Sequence, residues 1–319
     1  TGTLLTLTYS DGTQNGPQYE IESLSFYNSG AVSDCCIELR YTGPNGILGG
    51  DDKLHLTNVL IHSASYWKKG LFLNRSSAVY AVNTSIINNN NATAEVTPGV
   101  YGVHVLNDLA NHNQIRCFSA VNFYVQRFYR CIYFEVDPVA NACETLYIAN
   151  TELLGGTGVY LEGEIGAVSI TNTHFDTIDA AVYAPETSVI RLVGCDMRFG
   201  RNNVFGTPGV TFGSPSGLGQ QGQMVGCNLI GNNDYMVSID GGTGWTVFGN
   251  NFLGGNSNTI IRVQNNASEV FFTSNNIFNY GAVSSVTTTG ADITIGASGV
   301  FNVSGTTFNV RGGIVASIT

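Results

Sequence analysis

The chain has 319 residues and a net charge of −10 at neutral pH, and only 11% of it is Asp, Glu, Lys or Arg, against about 25% in an ordinary globular domain. That balance speaks against a nucleic-acid partner, and no apolar run is long enough to cross a bilayer as a helix, so membrane insertion is not expected. Seven cysteines in this length make no disulfide framework and show no metal-ligand spacing, so neither a metal nor another cofactor is expected.

The sequence starts on Thr1 with no initiator Met and no signal segment, as expected of a fragment or a processed form. Residues 1–24 are expected to form an amino-terminal cap or edge strand. From Ser25 onward a repeat sets in. Its clearest copies are Ala149-Asn150-Thr151-Glu152-Leu153, Thr171-Asn172-Thr173-His174-Phe175 and Val193-Gly194-Cys195-Asp196-Met197, each 22 residues after the last. Upstream apolar residues keep the same step: Leu146 with Val168 and Ile190, and Ile148 with Ile170 and Leu192. Self-similarity at such a period marks a solenoid. Apolar and polar residues alternate, stop at Asn or Gly, and resume one step out of phase. This predicts two short strands joined by a bend whose Asn or Gly takes left-handed backbone.

With Glu152–Leu153 as the marker, equivalent pairs fall at Ser25–Phe26, Val59–Leu60, Ser85–Ile86, Asn122–Phe123, His174–Phe175, Asp196–Met197, Asn228–Leu229, Asn251–Phe252, Asn276–Ile277 and Thr307–Phe308, with gaps of 22 to 37 residues. The prediction is an all-β, single-stranded parallel β-helix of ten or eleven coils over residues 25–281. Residues 88–100, 107–113 and 200–222 read as loop insertions, which in solenoids gather on one face. Residues 282–319 read as a carboxy-terminal β cap or a trimerisation segment, since an uncapped solenoid end exposes strand edges. Cys195 and Cys227 share a repeat column with Thr151 and Thr173, which should face inward.

Each coil has a third strand with apolar first and third positions: Ile37-Glu38-Leu39-Arg40, Leu71-Phe72-Leu73-Asn74, Val103-His104-Val105-Leu106, Ile132-Tyr133-Phe134-Glu135, Val159-Tyr160-Leu161-Glu162, Val237-Ser238-Ile239-Asp240 and Ile261-Arg262-Val263-Gln264. The second and fourth positions should then form two outward columns. One reads Glu38, Phe72, His104, Tyr133, Tyr160, Val182, Ser238 and Arg262. The other reads Arg40, Asn74, Leu106, Glu135, Glu162, Ala184, Asp240 and Gln264. Exposed aromatics beside carboxylates can stack on sugar rings while the polar groups take hydroxyls, although Tyr also suits a structural ladder. His104, Tyr133, Tyr160, Phe72, Glu38, Asp240 and Arg262 are therefore candidate substrate-binding residues.

The sharpest local feature is Glu135 stacked on Glu162. Carboxylates ~5 Å apart should raise one pKa and share a proton, which is the equipment of glycosidic cleavage. The pair, with Asp137 and Glu164 in the following turns, makes the candidate catalytic set; a solvated acidic turn is the plain alternative. His174 beside Asp196 reads as ladder packing. No phosphate loop, HExxH or Gly-x-Ser-x-Gly segment is present.

Irregular coils with Asn at the bends, few charges and an aromatic–acidic strip resemble the right-handed parallel β-helix of bacteriophage tailspike proteins, whose architecture is shared with pectate lyases. The resemblance spans roughly residues 20–310 and lies in architecture and composition. It implies a homotrimeric virion spike that acts outside the cell, binding a bacterial capsule or O-antigen and hydrolysing it with paired carboxylates. A non-catalytic carbohydrate-binding spike or adhesin is a second expectation. A polysaccharide lyase with Tyr133, Tyr160 or His104 as base is a third.

Overall fold

The computed structural model describes residues 2–10, 18–43, 47–48, 53–76, 78–89, 92–108, 113–114, 117–137, 143–201, 208–213, 221–231, 235–254, 259–264, 267–279, 285–288, 293–296, 299–303, 306–311 and 314–318. The chain is 71% strand, arranged in long, all-parallel sheets as a parallel β-helix, with a single short helix among the described residues, Ala92–Val96. It divides into two compact units, Thr1–Val168 and Ser169–Thr319.

In the first unit, one sheet stacks Thr3–Tyr9, Ser33–Tyr41, Trp67–Asn74, Tyr101–Asn107, Arg130–Val136 and Thr157–Glu162, all parallel. Its inward columns are apolar throughout: Ile37, Leu71, Val103, Ile132 and Val159 in one, Leu39, Leu73, Val105, Phe134 and Leu161 in the other, each fully buried. Stacking like on like lets every β-branched or Leu side chain fill the same volume one coil up. The second sheet of this unit carries the predicted bends. Asn58, Asn83, Asn122 and Asn150 all hold left-handed backbone, with φ of 54°, 49°, 52° and 51°. Their side chains form a ladder from Asn122 Nδ2 to Asn83 Oδ1 (3.0 Å) and from Asn83 Nδ2 to Asn58 Oδ1 (3.2 Å). Asn is favoured because it tolerates this conformation and hydrogen-bonds to its neighbour.

Two markers are corrected by the register. Glu152–Leu153 aligns with Tyr124–Val125, not Asn122–Phe123, and Ser85–Ile86 aligns with Leu60–Ile61, not Val59–Leu60. Val59 and Phe123 are buried directly after the bends at Asn58 and Asn122. They occupy the inward column that Thr84 and Thr151 also hold, and an apolar residue there mimics the marker.

In the second unit, one sheet stacks Val182–Ala184, Val210–Gly213, Tyr235–Asp240, Thr259–Gln264 and Ser285–Thr288. Here the outward assignment of Val182 and Ala184 is corrected. Val182 aligns with Val210 and Val237, and Ala184 with Phe212 and Ile239, all facing in; Tyr183 is the residue in the column of Ser238 and Arg262. Phe175, Met197, Leu229 and Phe252 stack as one fully buried column. Beside them Thr173, Cys195, Cys227, Asn250 and Asn275 are buried too. His174 meets Asp196 in register at 3.1 Å, as ladder packing requires. Parallel pairing continues to Ile293–Gly296 against Ser268–Thr273. Beyond it, Gly299–Val303, Thr306–Arg311 and Ile314–Ile318 make an antiparallel sheet, so the Thr307–Phe308 marker belongs to no coil. Of the loop insertions, residues 90–91, 109–112, 202–207 and 214–220 lie outside the described residues.

Close packing in this unit leaves no room for a side chain at Gly222. Gly222 is buried in register with Trp245, and a Cβ there would run into the fully buried indole ring. Gly222→Ala should destabilise by about 1–3 kcal/mol, as overpacking does, read as a lower urea midpoint with unchanged slope.

Candidate functional site

The acidic pair is built as the repeat dictates. Glu135 and Glu162 are register partners on adjacent strands, and so are Tyr133 and Tyr160. Their surroundings differ. Glu135 Oε2 lies 2.8 Å from His104 Nε2, one strand away. Glu162 Oε2 accepts a hydrogen bond from the Tyr133 hydroxyl at 2.6 Å and lies 4.0 Å from the Arg130 guanidinium. The Glu135 side chain is 46% exposed and that of Glu162 58%, while His104 is buried.

The His104 ring is clamped flat between two others. Phe72 stacks on one face at 4.9 Å and 19°, Tyr133 on the other at 5.0 Å and 14°, and Tyr101 meets it edge-on at 4.9 Å. Burial pushes the imidazole pKa down, with the hydrogen bond to Glu135 opposing it. Its Nδ1 is buried with no hydrogen-bond partner, so the neutral ring points its Nε2 proton at the carboxylate. The Glu135 pKa is held below the usual carboxylate range, first by that hydrogen bond and then by the nearby cations Lys69 and Arg130. Of the stacked pair, Glu135 is therefore not the carboxyl whose pKa is raised: the His104 donor and the nearby cations favour its charged form. Burial and the bond to Glu162 push the Tyr133 phenol well above its ordinary value.

The exposed aromatic strip is corrected as well. Glu38, His104 and Tyr133 are only 3%, 3% and 5% exposed. His104 and Tyr133 are covered by a row that alternation does not reveal: Lys69, Tyr101 and Arg130 are register partners at the start of the same strands. The Lys69 ammonium sits 3.5 Å over the Phe72 ring, and the Arg130 guanidinium 3.4 Å over Tyr160 and 4.3 Å over Tyr133. Each of these residues precedes two successive buried positions, Gly70–Leu71, Gly102–Val103 and Cys131–Ile132. Two inward residues in a row make a corner, which flips the residue before them outward. The column of small residues Cys36, Gly70, Gly102, Cys131 and Gly158 is the sequence signal for it.

The other candidates stand apart. Glu38 is two strands from His104, where its Oε1 accepts from Arg40 Nε (2.9 Å), Arg40 Nη2 (2.8 Å) and Asn74 Nδ2 (2.8 Å). Asp137 and Glu164 are exposed at the ends of the strands that carry the acid pair. Asp240 and Arg262 belong to the second unit, bonded to Gln264 (3.1 Å) and Ser238 (3.0 Å) of their own sheet.

The site is thus a polar surface of two carboxylates and a guanidinium, laid over a closed aromatic floor. Compared with protein-family models, with curated proteins and with solved structures, the chain matches none.

Acid should loosen this floor. The folded pKa values of His104 and Glu135 both lie below those of the unfolded chain, about 6.5 for His and 4.3 for Glu. The unfolded state therefore binds more protons, and stability falls with falling pH, first below about 6.5 through His104 and then below about 4.3 through Glu135. A urea-midpoint series from pH 7.5 to 4 should show both stages, and His104→Gln should flatten the first.

Proposed function

We propose that this protein is a glycan-cleaving spike of the tailspike kind, which binds a bacterial surface polysaccharide across the Glu135–Glu162 face and hydrolyses it. The assembly that goes with this reading is a homotrimer on a virion, acting outside the cell. The observation that supports it best is the pairing of two carboxylates on adjacent strands in different electrostatic surroundings. Glycosidases need such a split, one carboxylate kept ionised and one able to deliver a proton. Glu135, held ionised by His104, takes the part of base or nucleophile. Glu162, the more exposed of the two, takes the part of acid toward the leaving oxygen. Adjacent strands sit about 4.8 Å apart, nearer the close carboxyl pair of retaining enzymes than the wide pair of inverting ones.

A second reading, binding without cleavage, is favoured by one observation: both carboxylates already accept hydrogen bonds, and Glu135 shares no proton. The lyase reading fares worse. A lyase base must reach the substrate in its deprotonated form; the Tyr133 phenol is pushed up, and His104 is buried with its Nε2 turned to Glu135. Product analysis on a panel of bacterial capsules and O-antigens tests all three. New reducing ends without an unsaturated sugar support hydrolysis, an ultraviolet-absorbing unsaturated product supports a lyase, and retention without products supports a binder. A panel neither bound nor cut overturns the proposal.

A further inference from the structure

An open depression of about 310 Å³ lies in the first unit, on the sheet that carries the acid pair. We infer that it is a subsite for the carboxylate of an acidic sugar unit, with the Lys69 ammonium as its anchor. The inference rests on the glycan-processing reading above and narrows the substrate to an acidic polysaccharide.

Charge pairing around the depression leaves one cation over. Asp34 is taken by Lys68 at 2.7 Å, and Glu38 by Arg40 and Asn74 at 2.8 Å each. Lys69, which also lines the depression, pairs with no carboxylate among the described residues; its contact is the Phe72 ring. A cation on an aromatic face keeps its other flank open for an anion. The surplus is a single charge, which suits a monovalent carboxylate better than a divalent phosphate. It stands out in a chain of net charge −10. Lys69 is half-buried, and burial pushes its pKa down, with the more distant charges of Glu135, Glu38 and Asp34 opposing it in part; a carboxylate bound directly would relieve more of that penalty, because an opposite charge favours the ammonium form.

Position supports the same assignment. The strand Trp67–Asn74 pairs with Tyr101–Asn107, and that strand pairs with Arg130–Val136. Lys69 is therefore two strands, about 10 Å, from the strand of Glu135. Across the strands Lys69 is in register with Arg130, whose guanidinium lies 4.0 Å from Glu162 Oε2, so a chain running obliquely from Lys69 past Arg130 would meet the acid pair with its acidic unit anchored away from the bond being cut. Remote binding of this kind holds the reacting bond in place. The size also fits, since the depression reaches the lower end of known ligand sites, roughly 300–1,000 Å³.

The test is saturation-transfer NMR on the full chain with D-glucuronate, and D-glucose as the uncharged control. Glucuronate should receive saturation and glucose should not. Lys69→Met should weaken glucuronate about tenfold or more, the size of a lost charge-assisted hydrogen bond, while Lys69→Arg should retain binding. Lys69→Gln serves as the second neutral variant if the Met form does not fold. Equal signals from both sugars, no signal from either, or unchanged affinity in the neutral variants overturns the subsite. Displacement of glucuronate by inorganic phosphate at lower concentration than by acetate overturns the carboxylate assignment in favour of a phosphate site. The readout needs no bond cleavage, so its failure leaves the Glu135–Glu162 reading standing, and a failure of that reading leaves this one measurable.

Discussion

Glu135→Gln should lower the rate of polysaccharide cleavage by about 10² or more, the usual contribution of a general acid or base, while retention of the polysaccharide stays within a few-fold. The amide keeps the shape of the carboxylate and can still accept the His104 Nε2 proton, so the floor of stacked rings should persist. What it cannot do is take a proton or attack an anomeric carbon. Glu162→Gln should behave alike, since its amide oxygen can still accept from Tyr133. The double variant should lose little beyond either single one, because groups acting in one step are not additive. The check is the release of reducing ends under single-turnover conditions, with binding measured separately. Near-normal turnover in both variants would reduce the pair to a surface ladder and pass the catalytic part to Asp137 or Glu164.

The columns that carry this pair were legible because the first sheet keeps strict alternation. Ile-x-Leu, Leu-x-Leu, Val-x-Val, Ile-x-Phe and Val-x-Leu recur at the same place in successive coils, and each inward residue is fully buried. From alternation alone, the outward neighbours of Glu135 had to be Leu106 and Glu162, as they are. The bends were legible for a similar reason: at Asn58, Asn83, Asn122, Asn150 and Asn172 left-handed backbone requires a residue that tolerates it.

Where alternation breaks, the reading fails. A corner puts Lys69, Tyr101 and Arg130 outside at positions whose parity says inside, so the residues that close over the aromatic column were missed. The lowered pKa of Glu135 was not legible for the same reason, since it depends on His104 one strand down and on cations from that corner row. Val182 and Ala184 failed because that strand is only three residues long, too short for alternation to fix its phase. Phe123 failed because it is apolar where its neighbours one coil down and one coil up, Thr84 and Thr151, are polar.

The inward polar column of the second unit holds the other large effect. Asn250→Ala should destabilise the protein by about 2–4 kcal/mol, at roughly 1–3 kcal/mol for each buried group left without a partner. Asn250 is fully buried. Its Oδ1 accepts from the Cys227 backbone N–H at 2.8 Å, and its Nδ2 donates to the Met224 carbonyl at 2.9 Å and to Asn275 Oδ1 at 3.0 Å. Asn275 repeats the pattern one coil on, accepting from Asn250 N at 2.9 Å and donating to the Val247 carbonyl at 2.8 Å. These amides do inside the coil what a turn does elsewhere: they satisfy backbone groups that the bend at Gly226 and Gly249 takes out of the sheet ladder. Alanine removes both the donor and the acceptor and leaves the Cys227 N–H, the Met224 carbonyl and Asn275 Oδ1 each short of a partner. Asn251→Ala is the control. Asn251 sits on the outer ladder between Asn228 (2.7 Å) and Asn276 (2.9 Å), where solvent replaces a lost bond, so the change should stay within about 0.5 kcal/mol. Urea midpoints at neutral pH measure both. If Asn250→Ala unfolds at the same denaturant concentration as Asn251→Ala, the freed Cys227 and Met224 groups find new partners and the inner amide ladder carries no stability of its own.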